Sequence, residues 1–275
     1  MSAVPESETT NAPSPPVSML WESVDPAQAL RQRFGFESPV AASDWLSGVL
    51  DRHWGLALGS CERLVLSSAN ALAWITVGER RMLAKWSMST ESFPRLAAVA
   101  RLTGWLDERG VPVSAPQPAK DGRLQLELDG FSLALQHLVP GELLDIADAA
   151  QVQAAGVMLA RLHTELAAYP DTIPGAPPQP GTQLVGNDFR SANILWADGR
   201  ISAVLDLEEA RYARRVDDLA RAAVLLGTRY HHWTPTPPAV REAFVAAYQA
   251  PHPLTAGELD EVYGIIGDHV AAWSP

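Results

Sequence analysis

Three polar residues, Asp188, Asn193 and Asp206, stand at spacings that suit the transfer of a phosphoryl group. That reaction depends mainly on positioning the reactants and on neutralising negative charge. Magnesium takes hard oxygen ligands and keeps several water molecules, so one carboxylate and one amide from the protein are sufficient. A further carboxylate must meet the acceptor hydroxyl and take its proton. We therefore predict Asp188 as the base, and Asn193 and Asp206 as ligands of Mg²⁺.

The segment between Asn193 and Asp206 has the pattern of a tight β-hairpin. Two short apolar runs, 194–196 and 201–205, flank a turn. Because a hairpin brings its ends together, Asn193 and Asp206 are expected to lie side by side, next to the loop that carries Asp188. The alternative is that Asn193 is a turn residue and that both aspartates are surface or capping groups, but the spacing and the apolar runs favour the catalytic interpretation.

The N-terminal half is rich in apolar or alternating runs typical of short strands, with one helix among them. Turn residues at Gly78-Glu79 and Asp129-Gly130 predict two hairpins. The helix has apolar residues at helical spacing and is stopped by Gly110. The predicted strands are 63–66, 71–77, 81–86, 124–128 and 132–136, and the predicted helix is 93–108.

Helical patterns also begin and end the chain. Two short helices are predicted ahead of the strands, at 26–34 and 44–50, with Asp25 and Ser43 as their N-caps. After Gly141 the pattern becomes mainly helical. The helices predicted there are 149–169, 216–226, 238–249 and 255–270.

Composition and charge exclude several classes of protein. Of the 275 residues 47% are apolar, which is enough for two lobes sharing a cleft or for one large domain. The net charge of −11 argues against a general nucleic-acid-binding protein and is compatible with a cationic small-molecule substrate. With one cysteine, no signal-peptide pattern and no long apolar run, the sequence predicts a cytoplasmic protein without a membrane span.

The segments Gly186-Asn187-Asp188, Asn193-Ile194-Leu195 and Leu205-Asp206-Leu207-Glu208 resemble the catalytic and metal loops of the aminoglycoside phosphotransferase family. That family is similar to choline and homoserine kinases and, more remotely, to protein kinases. The resemblance covers about residues 60–250. It implies an α+β, two-lobed protein-kinase-like fold with a small antiparallel-sheet N-lobe and a mainly helical C-lobe. It also implies Mg²⁺, ATP or GTP as phosphate donor, and a small-molecule hydroxyl compound, such as an antibiotic or a metabolite, as acceptor.

On this basis we expect three parts in the chain. Residues 1–16 are rich in Ser, Thr, Pro and Glu and are predicted to be a disordered tail. Residues 17–138 are expected to form the nucleotide-binding lobe with its leading helices. Residues 139–275 are expected to form the catalytic and substrate lobe.

The resemblance also assigns nucleotide-binding residues. Lys85, at the end of the third predicted strand, matches the lysine that contacts the α and β phosphates, with a solvated edge lysine as the alternative. Ser67 and Ser68 fall in the loop that usually covers the phosphates, although this loop has no glycine. Gln136 and Leu138 fall in the hinge between the lobes, whose backbone would bind adenine.

Other positions keep two interpretations. Arg190 matches a residue that faces the γ-phosphate, with a surface arginine as the alternative. Asp218 matches an aspartate that braces the catalytic loop, and N-capping of a helix would also explain it. His163 is predicted to be a packed histidine with its hydrogen bonds satisfied. The aromatic run Tyr230, His231, His232 and Trp233 either lines the acceptor site or belongs to the core or surface.

The sequence departs from the family pattern at two points that bear on activity. Gly186 stands where a histidine is usual, which puts the geometry of the loop in question. The helix predicted at 93–108 offers no clear glutamate to pair with Lys85, since Glu91 is expected ahead of it. These departures leave an alternative open: a catalytically weak or inactive kinase-like protein that binds a nucleotide or another small molecule.

Overall fold

The computed structural model describes residues 14–230 and 233–273, so most of the predicted tail and the residues His231 and His232 lie outside the described residues. The N-terminal strands are β1 (Val17–Met19), β2 (Ser60–Leu66), β3 (Asn70–Val77), β4 (Arg80–Ser87), β5 (Leu126–Leu128) and β6 (Phe131–His137). They form one sheet in the order β1-β2-β3-β4-β6-β5. Neighbours are antiparallel except β1 and β2, which are parallel.

The two predicted hairpins are confirmed. Gly78 and Gly130 have φ of 58° and 80°, a conformation that glycine adopts without steric cost, and they close β3–β4 and β5–β6. Along β3 every second residue is buried, which places one face against the core. The strand predicted at 124–128 is too long, because only Leu126–Leu128 pairs with β6. Strand β1 was not predicted, since three residues carry too little pattern.

The two leading helices are α1 (Pro26–Phe34), as predicted, and α2 (Pro39–Trp54), which is longer than the predicted 44–50. The prediction of Ser43 as N-cap was wrong. Ser38 caps α2 instead, and its hydroxyl accepts a hydrogen bond from the third helical N–H. Proline suits the first helical turn because its fixed φ is already helical and its missing N–H is not needed there.

The remaining helices are α3 (Phe93–Glu108), α4 (Ala149–Ala167), α5 (Arg215–Leu225), α6 (Pro238–Gln249) and α7 (Ala256–Ala271). All five confirm the predicted helices to within two residues at each end. The sheet, α1 and α2 enclose one apolar core, whereas α3 to α7 enclose a second. Among the described residues, no helix is long and apolar enough to cross a membrane.

Short strands in the C-terminal part hold the loops that carry chemistry. These are β7 (Glu142–Leu143), β8 (Gln183–Val185), β9 (Ile194–Ala197), β10 (Arg200–Val204) and β11 (Arg211–Ala213). β9 and β10 form the predicted hairpin, with β7 beside β9. β8 pairs with β11, so the chain is fixed both ahead of Asp188 and after the loop that contains Asp206.

Candidate active site

A cavity of about 460 Å³ lies where the sheet faces the loops at 186–193 and 205–209. From the roles predicted for Asp188 and Asp206, we call residues 186–193 the catalytic loop and residues 205–209 the metal loop. Of the residues predicted for the site, the cavity is lined by Ser67, Lys85, Gln136, Asp188, Arg190, Asn193 and Asp206. Residues from both halves of the chain therefore meet in one cleft.

Asn193 fixes the carboxylate of Asp188. Its Nδ2 donates to Oδ2 of Asp188 at 2.7 Å and to the backbone carbonyl oxygen of Asp188 at 3.0 Å. Because both bonds use the amide nitrogen, the Oδ1 atom of Asn193 is left for another partner. The backbone N–H of Leu205 donates to the carbonyl oxygen of Asn193 at 2.8 Å, which joins the catalytic loop to the residue before Asp206.

The catalytic loop is held without the histidine that usually stands at the position of Gly186. Nε of Arg221 donates to the carbonyl oxygen of Asn187 at 2.9 Å, and the N–H of Ser191 donates to that of Leu226 at 2.8 Å. Asn187 is buried and has φ of 63°, a conformation that Asn tolerates better than most residues. The loop is thus braced from α5 and the residue that follows it.

Arg190 pairs with the residue predicted as the base. Its Nε lies 2.9 and 3.1 Å from the two carboxylate oxygens of Asp188. The guanidinium carbon lies 5.0 Å from the centre of the Trp233 ring, within the range of a cation–π contact. Nη1 is buried and has no hydrogen-bond partner among the described residues. Arg190 is therefore not a surface arginine, whereas its contact with a γ-phosphate stays a prediction.

The chain turns sharply at Asp206. This residue has φ of 54° and ψ of 68°, in the left-handed region that few residues other than glycine adopt. Directly after it, Leu207–Glu209 forms a single 3₁₀ turn. As a result Asp206 and Glu208 both line the cavity, and 47% of the Asp206 side chain is exposed.

Lys85 has a partner, but the partner is not on α3. Its Nζ forms an ion pair with Oε1 of Glu208 and lies 3.7 Å from Oδ1 of Asp206. The expectation that Lys85 lacks a carboxylate partner is therefore corrected, because Glu208 of the metal loop supplies one. Arg95 of α3 donates to the carbonyl oxygens of Glu208 and Ala210, both at 2.6 Å. In this way α3 holds the loop that holds Lys85.

The environment of Lys85 gives a test of this pairing. Burial disfavours the charged ammonium, but Asp206 and Glu208 outweigh burial and raise the pKa of Lys85 above its ordinary value. In Glu208→Gln we expect that pKa to fall, so that Lys85 reacts faster with an acylating reagent at neutral pH. Each pKa unit lost multiplies the reactive neutral fraction roughly tenfold. Mass spectrometry would follow the reaction at both lysines of the chain, Lys85 and Lys120.

Two controls accompany this experiment. Lys120 does not line the cavity and binds backbone carbonyl oxygens at the end of α2, so its reaction rate should not change. Glu209→Gln alters the neighbouring exposed carboxylate and should leave Lys85 at the wild-type rate. An unchanged rate at Lys85 in Glu208→Gln would contradict the pairing.

The loop predicted to cover the phosphates, residues 67–70, is a tight turn between β2 and β3, and we call it the phosphate loop. The N–H of Ser67 donates to the carbonyl oxygen of Asn70 at 2.8 Å, and the Ser67 hydroxyl accepts from the N–H of Asn70 at 3.2 Å. Ser67 is buried and lines the cavity, whereas Ser68 is exposed and does not line it. The loop thus presents one of its two predicted serines to the cleft.

The two residues predicted for the hinge between the lobes, Gln136 and Leu138, also differ in whether they reach the cavity. Gln136 lines the cavity, whereas Leu138 does not. The N–H of Leu138 donates to the carbonyl oxygen of Arg81 at 3.2 Å, so this donor is already used inside the protein. Ser68 and Leu138 are therefore the two predicted site residues that do not line the cavity with the others.

A buried polar cluster joins α4, α5 and α6. His163 contacts Oδ2 of Asp218 through Nε2 and the hydroxyl of Tyr248 through Nδ1, both at 2.8 Å. The prediction for His163 is confirmed. The N-capping alternative for Asp218 is wrong, because Arg214 is the N-cap of α5 and the carboxylate faces His163. Burial raises the pKa of Tyr248 to about 12.

Sequence reasoning missed several residues of the site. Glu208 ends the motif Leu205-Asp206-Leu207-Glu208, but nothing in its spacing indicates a bond to Lys85. Arg95 and Arg221 act on backbone carbonyl oxygens, and such contacts leave no pattern in the sequence. Tyr230, in contrast, is one of the aromatic residues that the sequence indicated; it lines the cavity, and burial together with nearby Asp206 raises the pKa of its hydroxyl.

A small sheet facing a helical part, with an aspartate, an asparagine and a second aspartate in the cleft between them, defines the kinase-like class of folds. The profile of the phosphotransferase enzyme family, known by the abbreviation APH, matches residues 164–259. Over 122 residues the chain is 33% identical to a homoserine kinase of Cupriavidus taiwanensis. That match spans 44% of this chain and 35% of the kinase, so the chain spans about a third of its curated relative.

Solved structures give the same result for the fold. A macrolide 2′-phosphotransferase from Brachybacterium faecium aligns with a TM-score of 0.59 at 18% identity, over 82% of this chain and 88% of that one. A spectinomycin phosphotransferase in complex with ADP and spectinomycin aligns with a TM-score of 0.56 at 12% identity, over 84% and 94%. These findings confirm the kinase-like fold and the resemblance to the aminoglycoside phosphotransferase family.

Proposed function

We propose that the protein transfers the γ-phosphate of ATP or GTP to a hydroxyl group of a small molecule. The observation that carries this proposal is the meeting in one cleft of an oriented carboxylate, Asp188, and an ammonium, Lys85, held by the metal loop. A base beside the acceptor and a cation beside the donor phosphates are the two requirements of such a transfer. Residues 17–138 would serve as the nucleotide-binding lobe and residues 139–275 as the catalytic and substrate lobe.

Asp206 and Asn193 would hold Mg²⁺. The Asp206 carboxylate is open to the cleft, and the Asn193 amide has its oxygen free of the bonds to Asp188. Both are hard oxygen ligands, so the residues present fit the ion. No group of three or more His, Cys, Asp or Glu side chains suited to a metal occurs in the described part of the chain, so water and phosphate oxygens would complete the shell. When bound, the ion would neutralise charge on the phosphates.

Asp188 would accept the proton of the attacking hydroxyl. Asn193 and Arg190 hold its carboxylate from two sides, which fixes the direction in which the carboxylate can act. Nη1 of Arg190 is a buried donor without a protein partner in the described residues, and it is available for a phosphate oxygen. Tyr230, which lines the cavity, and Trp233, which stacks on Arg190, would lie near the acceptor.

The acceptor would be an aminoglycoside-like antibiotic or a small metabolite. The homoserine kinase that the chain partly matches supports a metabolite, and the phosphotransferases of similar fold support an antibiotic. The acidic net charge of −11 favours a neutral or cationic compound over an anionic one. We also infer a cytoplasmic location from the single cysteine.

Calorimetric titration with ATP and GTP, with and without Mg²⁺, tests the proposal. We expect binding by the wild-type protein that Mg²⁺ strengthens about tenfold or more, because carboxylate and amide oxygens bring the ion to the phosphates. In Asp206→Asn that gain should largely disappear. Asp198→Asn is the matched control, since Asp198 is an exposed residue of the β9–β10 turn and Asn tolerates its φ of 51°.

The outcomes separate the two functions under consideration. If neither nucleotide binds, with or without Mg²⁺, the protein is not a nucleotide-dependent phosphotransferase. If a nucleotide binds but no phosphate is transferred to any compound in a broad panel of alcohols, amino alcohols and antibiotics, the inactive kinase-like binder is favoured instead.

A further inference from the structure

The N-terminal segment runs alongside β2 to the base of the phosphate loop. The N–H of Leu64 donates to the carbonyl oxygen of Pro16 at 2.9 Å, and β1 then pairs with β2 in parallel. The N–H of Leu20 donates to the carbonyl oxygen of Leu66, the last residue before the loop, at 2.8 Å. These bonds cover the edge of the sheet next to the loop, and they bring the residues after β1 to the mouth of the cleft, where Leu20 and Trp21 line the cavity.

Helix α1 then places an arginine, Arg33, in contact with the phosphate loop. Nη1 of Arg33 donates to the carbonyl oxygen of Ser67 at 3.2 Å and also to Oε2 of Glu22. The side chains of Arg33 and Glu22 are only 27% and 19% exposed, so this contact is partly shielded from water. A charge-assisted hydrogen bond of this kind is stronger than one between neutral groups. Glu22 orients the guanidinium, and Arg33 in turn holds the first residue of the loop.

The other side of the loop is fixed as well. The carbonyl oxygen of Ala69 accepts from the N–H of Met88 at 3.0 Å and from the hydroxyl of Ser87 at 3.4 Å. A loop that contains no glycine cannot adapt to a ligand through the backbone conformations that glycine allows. A backbone that is already held in place loses less conformational freedom when a ligand binds, and bonds from outside the loop are the means of holding it.

We propose that β1, Glu22 and Arg33 together act as a brace for the phosphate loop, and that Arg33 is the residue that positions the loop for a nucleoside triphosphate. This inference rests on the proposed function, because it assumes that the cleft binds a nucleotide. Arg33 bonds a carbonyl oxygen on the loop rather than the ligand, so it is a positioning residue. Its contribution belongs to the affinity for the phosphate groups and not to the affinity for the nucleoside.

The test compares two ligands on two variants. Arg33→Met removes the guanidinium and keeps an apolar stem, and Arg31→Met makes the same change at an exposed arginine of α1. Calorimetry would measure dissociation constants for Mg-ATP and for adenosine, or for Mg-GTP and guanosine if GTP is the nucleotide that the wild type binds. In Arg33→Met we expect about tenfold weaker binding of Mg-ATP, the effect of one charge-assisted hydrogen bond, and unchanged binding of adenosine. Arg31→Met should match the wild type for both ligands.

Each result decides between the proposals. If wild-type protein binds neither Mg-ATP nor Mg-GTP, the proposed function fails. If wild type binds and Arg33→Met binds equally well, or if Mg-ATP and adenosine weaken together, the brace is overturned. Arg33→Lys should recover only part of the affinity, because an ammonium cannot reproduce the forked geometry of a guanidinium. If Arg33→Met does not fold, Glu22→Gln replaces it, and a selective loss of Mg-ATP affinity is again required.

Discussion

Replacing Asp188 by asparagine is expected to lower kcat about a thousandfold while leaving the affinity for Mg-ATP within a few-fold of the wild type. A positioned base contributes roughly 10²–10⁴ to the rate of such a reaction, and an amide cannot take a proton from the acceptor. The change is nearly isosteric, so the bonds from Asn193 and Arg190 can persist in part. The effect should therefore fall on the chemical step. Steady-state kinetics with the acceptor found in the panel, and calorimetry with Mg-ATP, would measure the two quantities.

The matched control for this variant is Asp198→Asn, which makes the same chemical change in the same region of the chain. We expect wild-type kcat from it, since Asp198 is exposed and does not line the cavity. If Asp188→Asn keeps more than a tenth of the wild-type kcat, Asp188 is not the base. If it loses nucleotide affinity to the same degree as kcat, the role of Asp188 is structural.

Among the variants considered for this protein, His163→Leu is expected to lower the free energy of unfolding most. His163 and Asp218 are both essentially without solvent exposure, and Oδ1 of Asp218 has no hydrogen-bond partner in the described residues. In His163→Leu the remaining bond to that carboxylate disappears, and the hydroxyl of Tyr248 loses its contact with His163. Leaving a buried carboxylate without its partner typically costs about 3–5 kcal/mol of the free energy of unfolding. Urea denaturation followed by circular dichroism would measure it.

The double variant His163→Leu, Asp218→Leu makes this prediction sharper. Because both buried polar groups are then replaced by apolar side chains, the double variant should be more stable than His163→Leu alone. Asp171→Leu, which breaks the exposed ion pair between Arg101 and Asp171, serves as a surface control and should change stability little. A double variant less stable than His163→Leu alone would show that packing, and not the polar pairing, dominates at this cluster.

The sequence by itself determined the elements whose signals are local. The hairpin β9–β10 follows from two short apolar runs and a turn, and its closure necessarily brings Asn193 toward the residue before Asp206. The helices of the C-terminal part follow from apolar residues at helical spacing, which is why their ends differ from the prediction by at most two residues. The predicted start of α2 was wrong. The helix begins at Pro39 with Ser38 as its N-cap, and not after Ser43.

The tertiary structure alone decided how these elements meet. Lys85 pairs with Glu208, α3 packs into the second core and holds the metal loop through Arg95, and Arg33 reaches the phosphate loop. Each of these contacts joins residues that are distant in the chain, and most end on a backbone carbonyl oxygen, which every residue type provides. Such contacts depend on the relative placement of whole elements, so the spacing of residue types cannot encode them. Most of the site residues that the sequence predicts do line the cleft, whereas the contacts that hold them in place became visible only in the fold.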